Sequence, residues 1–152
     1  MLFRTEGADK TEDIGERLAL ALLKTKKRAF IAMRGEMGVG KTAFTRGFAR
    51  ALGIKGVKSP TYTIVNEYNG KTRLFHYDMY RIEDEDDLYS TGFDDYLKCD
   101  GYIVAEWSEK IPDNIPDDAI FVTVRRCAEG EELRDIIIEF PDRGYEDVYS
   151  CI

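Results

Sequence analysis

Apolar positions near the start of the chain recur at helical spacing: Ile14, Leu18, Ala21 and Leu22 form one stripe. Asp9 with Glu12 three residues on has the form of a capping box, with Asp in the Ser/Thr place, so a helix is predicted to precede the first strand. Residues 29–33 are an unbroken apolar run suited to a buried strand. Phe44, Phe48, Ala51 and Leu52 then return to the helical period until Gly53 stops it. Segments 62–68 and 71–77 flank Asn69-Gly70, the strongest short hairpin signal, and predict an antiparallel pair. A short helix is expected over 84–91, closed by Gly92, and 102–105 reads as a buried strand ending in Glu106. Pro112 and Pro116 mark a loop rather than a domain linker. Beyond them Ile120, Val122 and Val124 alternate with Phe121, Thr123 and Arg125, and a partner strand runs over 133–140 across the polar turn AEGEE. These elements predict an α/β domain of three layers, its mixed central sheet having a parallel core with antiparallel additions.

Between the 29–33 strand and the helix after it lies GEMGVGKT, residues 35–42, a full match to GxxxxGK[ST] in the strand–loop–helix setting that a phosphate-binding loop needs. Gly35, Gly38 and Gly40 permit backbone conformations that turn N–H groups inward around a phosphate chain. The helix that follows presents its positive end to the same anion. Lys41 supplies a point charge for β- and γ-phosphates, and the Thr42 hydroxyl is suited to Mg²⁺. With ordinary glycine usage, the four fixed positions arise by accident in a chain this long with a probability of roughly 0.5%.

The bulk numbers narrow the function class. At 152 residues and 43% hydrophobic the chain has the size of a single domain, residues 1–152, with one sizeable core. No apolar stretch approaches a membrane span and the N-terminus lacks a signal peptide's apolar centre, so a cytoplasmic protein is expected. Cys99, Cys127 and Cys151 are odd in number and widely spaced, which argues against a disulfide framework or a zinc site. A net charge of −7 argues against direct nucleic-acid binding. The acidic run Glu83 to Asp87 suits a helix's first turn.

Hydrolysis needs more than phosphate binding: groups must hold Mg²⁺ and orient water. Glu106 ends the apolar run YIVA, where a buried strand would deliver a Walker-B carboxylate to the metal. Asp78, in HYDMYR, is a candidate second-shell metal contact or water-orienting group. It shares a strand face with His76, which reads first as a packing partner. Thr61, in SPTYT, stands where P-loop proteins often place a nucleotide-sensing loop and could reach Mg²⁺; an ordinary turn set by Pro60 and Ser59 is the alternative. Trp107, the only tryptophan, is a core aromatic by default and a partner contact if exposed.

GEMGVGKT, SPTYT, HYDMYR and AEW, in this order and at these separations, closely resemble the TsaE (formerly YjeE) family of small bacterial P-loop ATPases, over nearly the whole chain. The resemblance implies an ATP- and Mg²⁺-dependent accessory subunit for threonylcarbamoyladenosine modification of tRNA at adenosine 37, working with TsaD and TsaB homologues. Carried over by position, Glu36, Met37, Gly38, Val39, Gly40, Lys41, Thr42 and Ala43 bind the nucleotide. Thr42 and Glu106 hold the metal, and Asp78, Glu106 and Lys41 serve hydrolysis. Thr61 falls in a switch-like loop, and Thr11 and Arg134 fall where family members contact base or sugar. Met37 and Val39 depart from the commonest loop residues, but those positions contribute backbone N–H groups. The segment after Asp142 is less family-like. Two other classes stay open: a small-molecule P-loop kinase, which the scattered arginines and absent lid insertion disfavour, and a GTPase-like module, for which no NKxD-type motif appears.

Overall fold

The computed structural model describes residues 1–60, 64–141 and 144–152. Seven strands form one sheet: β1 (Leu2–Glu6), β2 (Phe30–Arg34), β3 (Val65–Tyr68), β4 (Leu74–Asp78), β5 (Tyr102–Glu106), β6 (Ile120–Cys127) and β7 (Gly130–Glu139), in the order β1-β7-β6-β2-β5-β4-β3. β6, β2, β5 and β4 are mutually parallel; β7 and β1 extend one side antiparallel, and β3 the other. The mixed sheet with a parallel centre is therefore as the sequence predicts.

Alternation along the central strands builds the three layers. Ile31 and Met33 of β2 and Val104 of β5 point into a cluster with α1 (Gly7–Thr25) and α2 (Lys41–Ala51), where Leu18, Leu22, Phe44 and Phe48 are fully buried. Phe30, Ala32, Ile103 and Ala105 point the other way, onto α3 (Glu85–Ser90) and α4 (Phe93–Leu97) through Leu88 and Phe93. A last short helix, α5 (Glu146–Tyr149), adds Val148 to the first cluster. Each large side chain so buried contributes about 1.5–3 kcal/mol. Among the described residues, no helix is long and apolar enough to cross a membrane.

Three expectations need correction. A strand, β1, comes before α1, and its last residue Glu6 is the N-cap without any side-chain capping bond, so Asp9 and Glu12 form no capping box. Strand pairing of Leu2–Glu6 with 133–137 and the turn at Gly7 (φ 80°) set the helix start instead. The Asn69-Gly70 hairpin is not a two-residue turn. Tyr68 pairs with Leu74, leaving five residues between, because the loop is anchored on α2: Lys71 N–H donates to the Leu52 carbonyl at 2.8 Å, and Gly70 packs so close that a Cβ would lie 2.3 Å from that oxygen. The AEGEE segment is mostly strand, since Cys127 pairs with Gly130 beside a bulge. The short helix closed by Gly92 forms as expected, and α4 follows it directly after Gly92, which sits at φ 76°. The acidic run does start a helix: Asp84 caps α3, accepting from Asp87 N–H at 2.8 Å.

Candidate functional site

The loop between β2 and α2 has the strained backbone its glycines allow, with Gly35, Gly38 and Gly40 at φ 140°, 71° and 118°. Gly35 is also fixed by space, for a Cβ there would stand 2.3 Å from the Val124 carbonyl of β6. Val39 tucks its side chain into the core beneath the loop, while Glu36, Met37 and Gly38 are exposed above. Lys41 and Thr42 then occupy the first turn of α2, at the positive end of its dipole.

Lys41 is 4% exposed, and its ammonium donates to the carbonyls of Gly35 at 2.6 Å and Glu36 at 2.7 Å. Its Nζ also lies 4.4 Å from the centre of the Trp107 ring. Burial pushes its pKa below the usual lysine range, against the opposing pull of Glu106, Glu109, Asp78 and Glu36. Trp107 is thus neither core nor free surface. It follows Glu106 in a left-handed conformation (φ 58°), half-buried, with the exposed Tyr80 ring 5.0 Å away.

Parallel pairing of β4 with β5 sets Asp78 opposite Glu106 at the C-terminal ends of both strands. Glu106 is buried, and its Oε1 accepts from Thr42 Oγ1 at 3.2 Å and from His76 Nε2 at 2.9 Å. Asp78 is half-buried; its Oδ1 accepts from the Tyr80 N–H at 3.0 Å. Burial first, and the charge of Glu106 second, hold its pKa above the ordinary aspartate value, while the Tyr80 bond works in the opposite direction. These groups line a cleft of about 650 Å³ that runs from Met37 and Gly40 past Lys41 and Thr42 to Asp78, Glu106 and Trp107. A hydroxyl and a carboxylate side by side are hard oxygen donors, which suit Mg²⁺ rather than a softer metal. Among the described residues no cluster of three His, Cys, Asp or Glu groups offers a complete metal cage.

Thr11 and Arg134 meet on the far side of the loop, where they line a small cavity of about 170 Å³ with Ala8, Val39 and Ala43. Thr11 Oγ1 is 3.1 Å from Thr5 Oγ1 of β1, and Arg134 Nε donates to the Val39 carbonyl at 3.0 Å. Thr61 lies outside the described residues. Two contacts were not legible in the chain: Ser59 Oγ hydrogen-bonds Thr42 Oγ1, and His76 pairs with Glu106 rather than with Asp78. The HxD spacing signals that His76 faces the site, but only the strand order reveals its partner.

Comparison with known proteins gives one family. The model described as "Threonylcarbamoyl adenosine biosynthesis protein TsaE" matches residues 5–144. The tRNA threonylcarbamoyladenosine biosynthesis protein TsaE of Bacillus subtilis (strain 168) is 35% identical over 146 residues, 95% of this chain and 88% of the relative. Its counterpart from Haemophilus influenzae is 42% identical over 115 residues, 72% of each chain. Among solved structures, the crystal structure of Bacillus subtilis YdiB superposes with a TM-score of 0.79 at 28% identity, covering 99% of this chain and 91% of that one. With the glycine-rich loop, cleft and strand-end carboxylates all inside the matched span, the chain belongs to the TsaE family.

Proposed function

We propose that this protein is a Mg²⁺-dependent ATPase of the cytoplasm that serves N6-threonylcarbamoyladenosine modification of tRNA at adenosine 37, together with TsaD and TsaB homologues. The observation that carries the ATPase reading is the convergence, in one cleft, of Lys41, Thr42 and Glu106, with the Thr42 hydroxyl 3.2 Å from the Glu106 carboxylate. The modification pathway rests on the printed names of the TsaE relatives. The two partners rest on the family resemblance of the four motifs.

In this reading the loop N–H groups of residues 36 to 43 cradle the phosphates, and Lys41 turns from the loop carbonyls toward the β- and γ-phosphates. Thr42 and Glu106 hold Mg²⁺. The ion, when bound, neutralises charge that builds on the transferring phosphoryl group. Asp78 orients the attacking water, which its raised proton affinity and place opposite Glu106 suit. Arg46 and Arg81 line the cleft, but Arg46 is held by Glu12 and both sit at its exposed margin, so among the described residues no arginine is evidently aimed at the γ-phosphate. Turnover of the isolated protein is therefore slow. A partner that supplies a missing cation or orders the site accelerates it, by as much as about 10³ to 10⁵ where an arginine is supplied in trans.

The test is phosphate release and ATP affinity, each measured with and without Mg²⁺ and with and without the TsaD and TsaB homologues. Lys41→Ala abolishes ATP binding, Glu106→Ala retains metal-free binding while losing Mg²⁺-dependent hydrolysis, and GTP binds less well than ATP. Near-normal ATP affinity in folded Lys41→Ala would refute the site. Indifference to both partners, with tRNA modification proceeding without the protein, would refute the pathway.

A further inference from the structure

His76 is the only histidine in the chain, is fully buried, and reaches across from β4 to the Glu106 carboxylate on β5 at 2.9 Å. Its other ring nitrogen, Nδ1, is also buried and has no hydrogen-bond partner among the described residues. That asymmetry disfavours one form of the ring. An Nδ1–H tautomer would turn the Nε2 lone pair onto a carboxylate oxygen and leave the buried Nδ1–H without an acceptor among the described residues. A hydrogen on Nε2 gives the short contact a proton to share.

We propose that His76 is a positioning residue for Glu106. It donates to Oε1 from the sheet side while Thr42 donates to the same oxygen from α2, and this fixes the plane in which the carboxylate faces the cleft. Without the ring, a carboxylate this buried keeps only the Thr42 contact and is free to swing toward the Lys41 ammonium, whose charge already acts on it. The role rests on the reading of Glu106 as the residue that holds Mg²⁺. Residues that orient a metal ligand typically change metal affinity by 10- to 100-fold when removed, while leaving metal-free substrate contacts alone.

Two measurements test it. With a single histidine, the ¹⁵N–¹H spectrum of labelled imidazole reports directly in the native protein whether Nε2 carries a hydrogen; it is expected to, and an Nδ1–H ring with a bare Nε2 would overturn the proposal. The second is a Mg²⁺ titration of ATP binding for the parent, His76→Leu and His76→Gln, alongside ATP binding in chelator. His76→Leu requires on the order of 10- to 100-fold more Mg²⁺ with metal-free ATP binding unchanged, and His76→Gln, whose amide N–H reaches about as far as Nε2, restores most of the loss. A Mg²⁺-dependent parent matched by His76→Leu would overturn the positioning role alone. ATP binding in the parent that ignores Mg²⁺ would instead refute the metal reading beneath it. Should His76→Leu not fold, the tautomer decides.

Discussion

Arg134 of β7 donates from Nε to the carbonyl of Val39, 3.0 Å away, so the antiparallel edge of the sheet holds the glycine-rich loop by its backbone. The guanidinium also caps the carbonyls of Glu131 and Leu133, which fixes it in that pose. Arg134→Ala removes a charge-assisted bond worth about 1.5–3 kcal/mol and loosens the loop itself. ATP and inorganic tripolyphosphate should therefore lose affinity together, by roughly 10- to 100-fold, measured by calorimetry. If ATP alone weakens while tripolyphosphate binds as before, Arg134 acts on base or sugar instead.

Trp107 covers the buried face of Lys41 at 4.4 Å, a cation–π contact worth about 0.5–2 kcal/mol. Because it is the sole tryptophan, its emission should change when ATP draws the ammonium toward phosphate. Trp107→Ala is expected to shift ATP affinity by less than about 30-fold, far short of the loss in Lys41→Ala. A larger loss would mean that the indole touches the nucleotide.

What the sequence discloses and what it hides divide along range. GEMGVGKT is legible because its glycines and Lys41 encode a conformation and a charge locally, and YIVAE is legible because a five-residue buried strand announces its own end. Strand β1 is not, since LFRTE buries only Thr5 and owes its extension to pairing with Ile137, Ile136 and their neighbours near the other end of the chain. The partner of His76 depends on β4 and β5 lying side by side, which no local pattern states. Arg134 carries no local signal for Val39 at all, and the Asn69-Gly70 signal marks the right connection with the wrong turn, because α2 overrides the local preference through Leu52.

Asp78 gives a prediction in which stability and activity move apart. A carboxyl whose folded pKa lies above its unfolded value holds an extra proton between the two, so its contribution to stability is most favourable below the unfolded value and is lost as pH rises through the folded one. Asp78→Asn abolishes that loss and keeps an oxygen for the Tyr80 N–H. The nucleotide-free variant should melt above the parent at neutral pH, the gap closing as pH falls toward the ordinary aspartate range. Single-turnover hydrolysis should drop by about 10²- to 10⁴-fold with ATP still bound. A variant that melts lower and hydrolyses normally would make Asp78 structural.

The helix that carries Lys41 and Thr42 is seated by two glycines. A Cβ on Gly47 of α2 would lie 1.8 Å from the Glu12 carbonyl of α1, and one on Gly15 of α1 would lie 2.1 Å from the Phe44 carbonyl of α2. Both obstacles are backbone, so neither can step aside, and the helices cross at this distance only because both positions lack a side chain. Gly47→Ala gains about 1 kcal/mol in helix propensity. Forcing the helices apart costs more, about 1–3 kcal/mol for ordinary overpacking and beyond that for a clash with main chain. Arg50, on the same interface, makes ion pairs with Glu12, Asp13 and Glu16, yet these are solvent-exposed and Arg50→Ala should cost under about 1 kcal/mol. Chemical denaturation should therefore rank Gly47→Ala well below Arg50→Ala in stability, although the first deletes no contact and the second deletes three. ATP affinity should follow the same order, because tilting α2 moves Lys41 and Thr42 away from the loop that positions the phosphates. If Gly47→Ala is as stable as the parent, the close crossing is not what seats the phosphate-binding helix.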